Sequence, residues 1–287
     1  MQLLDGKALS EQLIDSVKAK AKKLKPTLAV ILVGQNSASL AYVKNKKLAC
    51  ERSGIKYVEY DYPETLTQEE LLKKIDELNK DDSANGLIVQ LPLPPHIQVP
   101  LVIRAVAPSK DVDGFHAYNL GKMFLSPEFE DLPPATPLGI VKLLDHYNIP
   151  IQGQEVVVVG HSNIVGKPIS MMMLNRNATV TTCHIYTKDL SAHTRRADIL
   201  IVAVGKANLI TADMVKEGAV VIDVGINRGA DGKLCGDVDF EEVSKKASYI
   251  TPVPGGVGPM TVAALILNTV RATERQMEKT KETKKKK

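Results

Sequence analysis

The sequence predicts an α/β protein made of two α/β domains, the second a Rossmann-type, doubly wound parallel sheet. Three observations predict it. The four consecutive valines 156–159 run into Gly160, and an apolar helical stretch follows at 170–174, which together read as a buried strand, a glycine turn and a helix. Apolar strands at 28–33, 56–60 and 86–90 alternate with helical periodicity in the first half, giving a βαβαβ series. A second series of apolar strands at 179–184, 199–204 and 220–224 follows the valine run, which is the cofactor-domain pattern.

Taken in order, Leu13, Ile14, Val17, Ala21 and Leu24 recur at helical spacing and predict one amphipathic helix over 10–24, ended by Pro26. The strand 28–33 closes at Gly34, and the helix 37–54 ends on a glycine suited to the left-handed C′ position. Thr67, with Glu70 three residues on, predicts a capped helix to Leu78. Gln90 ends the next strand and opens the proline-rich loop Leu91-Pro92-Leu93-Pro94-Pro95, which cannot continue a sheet. A helix over 99–106 and the turn 108–114 follow. The prolines at 133–137 mark a boundary, so the expected domains are 1–137 and 138–257, with a helix at 258–275 packing back on the first. The run from Thr251 to Thr261, dense in proline and glycine, states backbone requirements and opens that last helix.

Composition sets limits on function. The 287 residues are 44% hydrophobic, enough for a core in each domain. The net charge of +4 is misleading, because residues 279–287 hold six lysines and one glutamate, leaving the remainder at −1. The stretch 276–287 is therefore expected to be a disordered basic tail, and no nucleic-acid partner is expected. Cys50, Cys183 and Cys235 show no paired or metal-ligand spacing, so neither a disulfide framework nor a metal site is expected. No segment has the ~20 apolar residues of a membrane span and the first residues lack a basic-then-apolar leader, so the expected location is the cytoplasm.

Tyr42 and Lys46 stand four apart on one helix and share a face, with Ser39 one turn earlier. Such a pair suits proton transfer, and on a lysine-rich helix it also suits a surface. Short-chain dehydrogenases use the same spacing, but there the glycine loop precedes the pair within one domain, whereas here the order is reversed. Gln90 sits at the carboxyl end of a parallel strand, where α/β proteins bind ligands. Asp111 and Asp113 precede Gly114 in a turn, where aspartate often serves local amides instead. Around Gly160 the dinucleotide fingerprint is altered, with Ser162 at the second glycine position and Val165 and Gly166 closing the turn. After the strand 179–184 no acid occurs before Asp189, and the missing partner for a ribose 2′-OH favours NADP over NAD.

Six motifs occur in order: Ser39-x-x-Tyr42-Val43-x-x-Lys46, Gln90-Leu91-Pro92-Leu93-Pro94, Lys110-Asp111-Val112-Asp113-Gly114, Gly160-x-Ser162-Asn163-Ile164-Val165-Gly166-x-Pro168, Asp223-Val224-Gly225-Ile226-Asn227 and Pro254-Gly255-Gly256-Val257-Gly258-Pro259-Met260-Thr261. Together they resemble the bifunctional methylenetetrahydrofolate dehydrogenase/methenyltetrahydrofolate cyclohydrolase family over nearly the whole chain. The resemblance implies a cleft between the two domains, tetrahydrofolate derivatives against the first, NADP on the second, and a homodimer. It implies Lys46 as the catalytic lysine, Gln90 as its partner, Tyr42 as the ring stacking on the folate and Asp113 as the carboxylate holding the pterin. It places NADP at Gly160, His161, Ser162, Ile164, Val165, Gly166 and Ile226, and substrate also at Pro254, Gly255 and Gly256. The chain departs from many relatives at Ala135, where they carry cysteine, and at His161, where some carry an arginine for the 2′-phosphate.

Two rival readings make different predictions. A two-domain amino-acid or hydroxy-acid dehydrogenase would share the cofactor domain and leave Tyr42, Lys46 and Gln90 without a role. A binding protein would take folate or nucleotide without turnover.

Overall fold

The computed structural model describes residues 1–229 and 232–285, which form two compact units. One comprises Gln12–Lys122, Asp131–Ala135 and Val262–Lys287, and the other Met1–Glu11, Met123–Glu130 and Thr136–Thr261.

The first unit holds a three-stranded parallel sheet with Thr27–Val33 in the centre, flanked by Lys56–Tyr62 and Gly86–Val89. Leu28 lies opposite Tyr57 on one side and Gly86 on the other. All seven residues of the central strand are buried, which is why it reads as a continuous apolar run instead of an alternating one. Helix Gln68–Lys80 begins with the expected capping box: Thr67 Oγ1 accepts from the Glu70 N–H, and the Glu70 carboxylate accepts from the Thr67 N–H. It buries Leu71, Ile75 and Leu78 against the sheet residues Ala29, Ile31 and Leu87. Helix Ser37–Ser53 ends at Gly54, whose φ of 79° is left-handed.

The second unit holds a six-stranded parallel sheet in the order Gln2–Leu3, Tyr249–Ile250, Val220–Asp223, Ile199–Val202, Glu155–Val159, Thr179–Cys183. The chain runs outward from Glu155–Val159 to Thr179–Cys183, then returns to add Ile199–Val202 on the opposite side. That reversal is the topological switch point where doubly wound sheets receive ligands.

Three expectations need correction. The helix over 10–24 is two helices, Gly6–Ser16 and Lys18–Leu24, divided at Val17. The first residues pair with the second unit's sheet, Gln2 opposite Tyr249 and Leu3 opposite Ile250, so the chain does not divide at 137 alone. A two-residue strand has no periodicity to betray it. The last helix runs Val257–Lys285 and takes in most of the stretch expected to be disordered; Lys286 and Lys287 lie outside the described residues. Residues 276–285 contain no glycine or proline and are rich in Glu, Lys and Gln, all good helix formers that need only a helix to extend. Its anchor in the first unit is the buried Asn268, whose amide donates to the carbonyls of Val112 and Pro133, both at 2.9 Å. Among the described residues no helix is long and apolar enough to cross a membrane.

Candidate active site

In the first unit the candidate residues gather where the central and neighbouring strands end. Lys46, on the helix Ser37–Ser53, is only 6% exposed, and its Nζ donates to Gln90 Oε1 at 2.9 Å. Gln90 follows the strand Gly86–Val89 and is oriented in turn, because its Nε2 donates to the Leu91 carbonyl at 2.7 Å. Ser39 Oγ donates to the same carbonyl at 3.3 Å. The serine and lysine of the helix are thus tied to one strand end. Tyr42, on the same helix, is half-buried, and burial raises its phenol above the usual range, so the ring stays neutral. The neighbouring Cys50 thiol is pushed up to about 12 by burial and is inert.

Asp111 and Asp113 stand two apart and are used differently. Asp111 accepts from the N–H groups of Gly114, Phe115 and His116 at 3.1, 3.2 and 2.8 Å, and from Asn119 Nδ2 at 2.9 Å. Its carboxylate builds the turn and has no capacity left. Gly114 makes that turn possible: its φ is 76°, and a Cβ there would lie 2.4 Å from the Pro133 carbonyl carbon. Among the described residues nothing donates to the Asp113 carboxylate. Burial raises its pKa, and the Lys46 charge opposes the rise. The Asp113 carboxylate, within the field of the buried Lys46, therefore keeps acceptor capacity that the described residues do not use.

In the second unit the glycine turn sits at the switch point. A Cβ on Gly160 would lie 2.3 Å from the Ala203 carbonyl oxygen, and one on Gly166 would lie 2.1 Å from the Gly160 oxygen. The turn closes only because both side chains are absent. Ser162 Oγ accepts from the Val165 and Gly166 amides at 3.1 and 3.3 Å and so braces the turn that leads into the helix Gly166–Leu174. The amides of Asn163 and Ile164 have no acceptor among the described residues, so the turn offers free N–H groups beside a helix start, a setting that fits a dinucleotide pyrophosphate. His161 and His184 follow the first and second strands of the Rossmann series, their rings 5.0 Å apart, and both are exposed. Ile226 is exposed beyond the strand Val220–Asp223. Pro254, Gly255 and Gly256 form a tight turn, in which the Gly256 N–H donates to the Pro252 carbonyl at 2.8 Å. The Gly255 carbonyl accepts from the Lys7 N–H at 2.8 Å, fixing the turn against the first helix.

Sequence reasoning missed Asp237, a buried carboxylate of the second unit, which accepts from Val204, Gly205 and Lys206 N–H and from Asn227 Nδ2. Nothing in a single Asp within Gly236-Asp237-Val238 signals backbone donors some thirty positions away. Among the described residues no cluster of His, Cys, Asp or Glu could hold a metal.

A parallel doubly wound sheet with a glycine-shaped turn at its switch point places the second unit in the class of nucleotide-binding α/β domains. The tetrahydrofolate dehydrogenase/cyclohydrolase catalytic-domain pattern matches residues 4–113, and the NAD(P)-binding-domain pattern of the same family matches residues 134–277. A bifunctional protein FolD of Nautilia profundicola is 56% identical over 279 residues, 96% of this chain and 98% of its own. The crystal structure of the bifunctional FolD methylenetetrahydrofolate dehydrogenase/cyclohydrolase from Campylobacter jejuni is 55% identical with a TM-score of 0.94, covering 96% of this chain and 99% of its own. A Trypanosoma brucei methylenetetrahydrofolate dehydrogenase-cyclohydrolase, solved with NADP cofactor and inhibitor, is 33% identical with a TM-score of 0.91 over 95% of this chain and 97% of its own. The chain belongs to the tetrahydrofolate dehydrogenase/cyclohydrolase family and is an enzyme with a catalytic and an NAD(P)-binding domain.

Proposed function

We propose that the enzyme oxidises 5,10-methylenetetrahydrofolate to the 5,10-methenyl form with NADP, then hydrolyses it to 10-formyltetrahydrofolate, using Lys46, Tyr42, Gln90 and Asp113 at the folate. The observation that carries these roles is the buried Lys46–Gln90 hydrogen bond of 2.9 Å beside a carboxylate, Asp113, that the chain leaves unpaired. A pterin presents an amino group and a ring N–H side by side, and one carboxylate accepts both. The neutral Tyr42 ring supplies a face for the aminobenzoate.

NADP accepts the hydride when bound. For that step the protein's task is placement, since the folate nitrogens supply electrons as hydride leaves. Hydrolysis asks more of the side chains. Water attacking the methenyl carbon loses a proton, and the opening ring nitrogen gains one, so one group able to do both is needed. Lys46 is the group we assign to this task, and Gln90 Oε1, which accepts from its Nζ at 2.9 Å, keeps it aimed.

The nucleotide is held by Gly160, His161, Ser162, Ile164, Val165, Gly166 and Ile226, with Pro254, Gly255 and Gly256 serving the substrate. NADP over NAD is supported by the T. brucei relative solved with NADP and by the strand Thr179–Cys183, which is followed by His184 instead of an acid. The enzyme works as a cytoplasmic homodimer, and its three free cysteines fit a reducing compartment.

The test is to supply methylenetetrahydrofolate with NADP or NAD, follow reduced nicotinamide, and then follow decay of the methenyl absorbance. Reduction of NADP at higher kcat/KM than NAD, followed by decay above the uncatalysed rate, is expected. Equal or better use of NAD overturns the cofactor preference, and decay at the uncatalysed rate overturns the second activity.

A further inference from the structure

We infer that Asp237 is the positioning residue of the cofactor edge: its buried carboxylate gathers the loops after the strands Ile199–Val202 and Val220–Asp223 and sets where Val204 and Ile226 stand. The inference rests on the reading of this sheet as the NADP site.

Asp237 is fully buried. Its Oδ2 accepts from the Val204 and Gly205 N–H groups at 2.7 and 3.0 Å, and its Oδ1 from the Lys206 N–H at 2.8 Å and Asn227 Nδ2 at 2.9 Å. Three successive backbone N–H groups turned to one point make an anion-binding nest. Here the chain's own carboxylate fills the nest, so these amides are not available to a cofactor phosphate. The free amides at Asn163 and Ile164 remain for that purpose.

A second carboxylate locks the first. Asp223 accepts from the N–H groups of Gly225, Asp237 and Val238 at 2.9, 3.0 and 3.0 Å. The approach is so close that a Cβ on Gly225 would lie 2.2 Å from Asp237 Oδ1, and one on Gly236 would lie 1.8 Å from Asp223 Oδ2. The two aspartates therefore knot three segments, 204–206, 225–227 and 236–238, at the carboxyl edge of the sheet.

Each of the first two segments carries an apolar side chain that stays in solvent, Val204 at 39% exposure and Ile226 at 47%. At the ligand-binding edge of a parallel sheet, apolar side chains on pinned loops are a rest for a flat ring. Asp237, fully buried among the chain's own donors, acts through these loops.

Asp237→Asn keeps the size but turns one acceptor into a donor facing N–H donors. Its KM for NADP should rise at least tenfold. Hydrolysis of methenyltetrahydrofolate, which consumes no nicotinamide nucleotide, should stay within twofold of wild type in the same preparation. Asn227→Ala deletes one of the four donors and leaves the carboxylate three partners. It should raise the KM for NADP about threefold with kcat held, and it decides the matter if Asp237→Asn does not fold. Equal loss of both activities, or an unmoved KM for NADP in the folded variants, overturns the inference. A wild-type enzyme that does not reduce NADP would instead overturn the cofactor reading on which it rests.

Discussion

At the scale of the residue, the folate side of the enzyme is decided by which polar groups the chain satisfies and which it leaves. Asp111 and Asp113 share a turn, yet four donors occupy the first and none of the described residues the second. If Asp113 accepts two pterin donors, Asp113→Asn exchanges two charge-assisted hydrogen bonds for one neutral bond and a donor facing a donor. At roughly 1.5–3 kcal/mol for a hydrogen bond to a charged group, that change is expected to raise the folate KM in both reactions by about tenfold to a hundredfold; an unchanged folate affinity would assign Asp113 to the turn alone. Lys46 is a different case, because in the proposed mechanism only hydrolysis draws on its amine. Lys46→Met fills the same space without an amine, so cyclohydrolase activity should disappear while dehydrogenase activity stays measurable and methenyl product accumulates. A fall of both activities by the same factor would make Lys46 a substrate-placing residue and end the water-activation role.

At the scale of the element, the site depends on strand ends and the turns that follow them. Gly160 has φ of 126° and its absent Cβ would lie 2.3 Å from the Ala203 oxygen, so Gly160→Ala must both strain the backbone and push apart two neighbouring strand ends. The backbone strain alone is worth about 1–3 kcal/mol. This variant is expected to lose NADP-dependent oxidation, and a thermal melt should show a lowered midpoint; a normal KM for NADP at wild-type stability would show that the turn has more room than its geometry gives it. Much of this was legible in the sequence, because it is local. The capping pair Thr67 and Glu70, the C′ glycine at 54, the valine run into Gly160 and the shared face of Tyr42 and Lys46 are each contained within a few residues. What failed to show was non-local or too short to carry a period. Gln2 and Leu3 join the sheet only through partners at Tyr249 and Ile250, and the break at Val17 interrupts a pattern whose apolar spacing continues across it. Asp237 is invisible for the same reason, since its partners are mostly backbone N–H groups of a distant loop, and sequence records no backbone donors.

At the scale of the whole molecule, the excess positive charge is concentrated in residues 279–287, and the way the last helix is held determines what they contribute. Asn268 is buried and ties the helix to the carbonyls of Val112 and Pro133, and Gln276 Nε2 donates to the carbonyls of Asn85 and Ser109, both at 2.8 Å. Arg275 adds an ion pair to the mostly buried Asp131, which Lys122 also meets. These attachments fall at or before residue 276, whereas Met277 to Glu282 are exposed. Exposed residues such as these contribute little, because surface ion pairs give ~0–1 kcal/mol. Ending the chain after Glu278 therefore removes six lysines and one glutamate, takes the formal net charge from +4 to −1, and leaves every named anchor in place. The truncated enzyme is expected to keep both activities and to melt within about 2 °C of the full chain, the shift that ~0.5 kcal/mol produces in a protein of this size. A several-fold loss of kcat/KM in either reaction, measured at matched ionic strength, would mean that the lysine-rich turns steer the anionic folate or nucleotide toward the enzyme. Raising salt distinguishes that outcome from a folding defect, since steering between exposed charges fades once the Debye length falls below ~8 Å, whereas a lost packing contact does not.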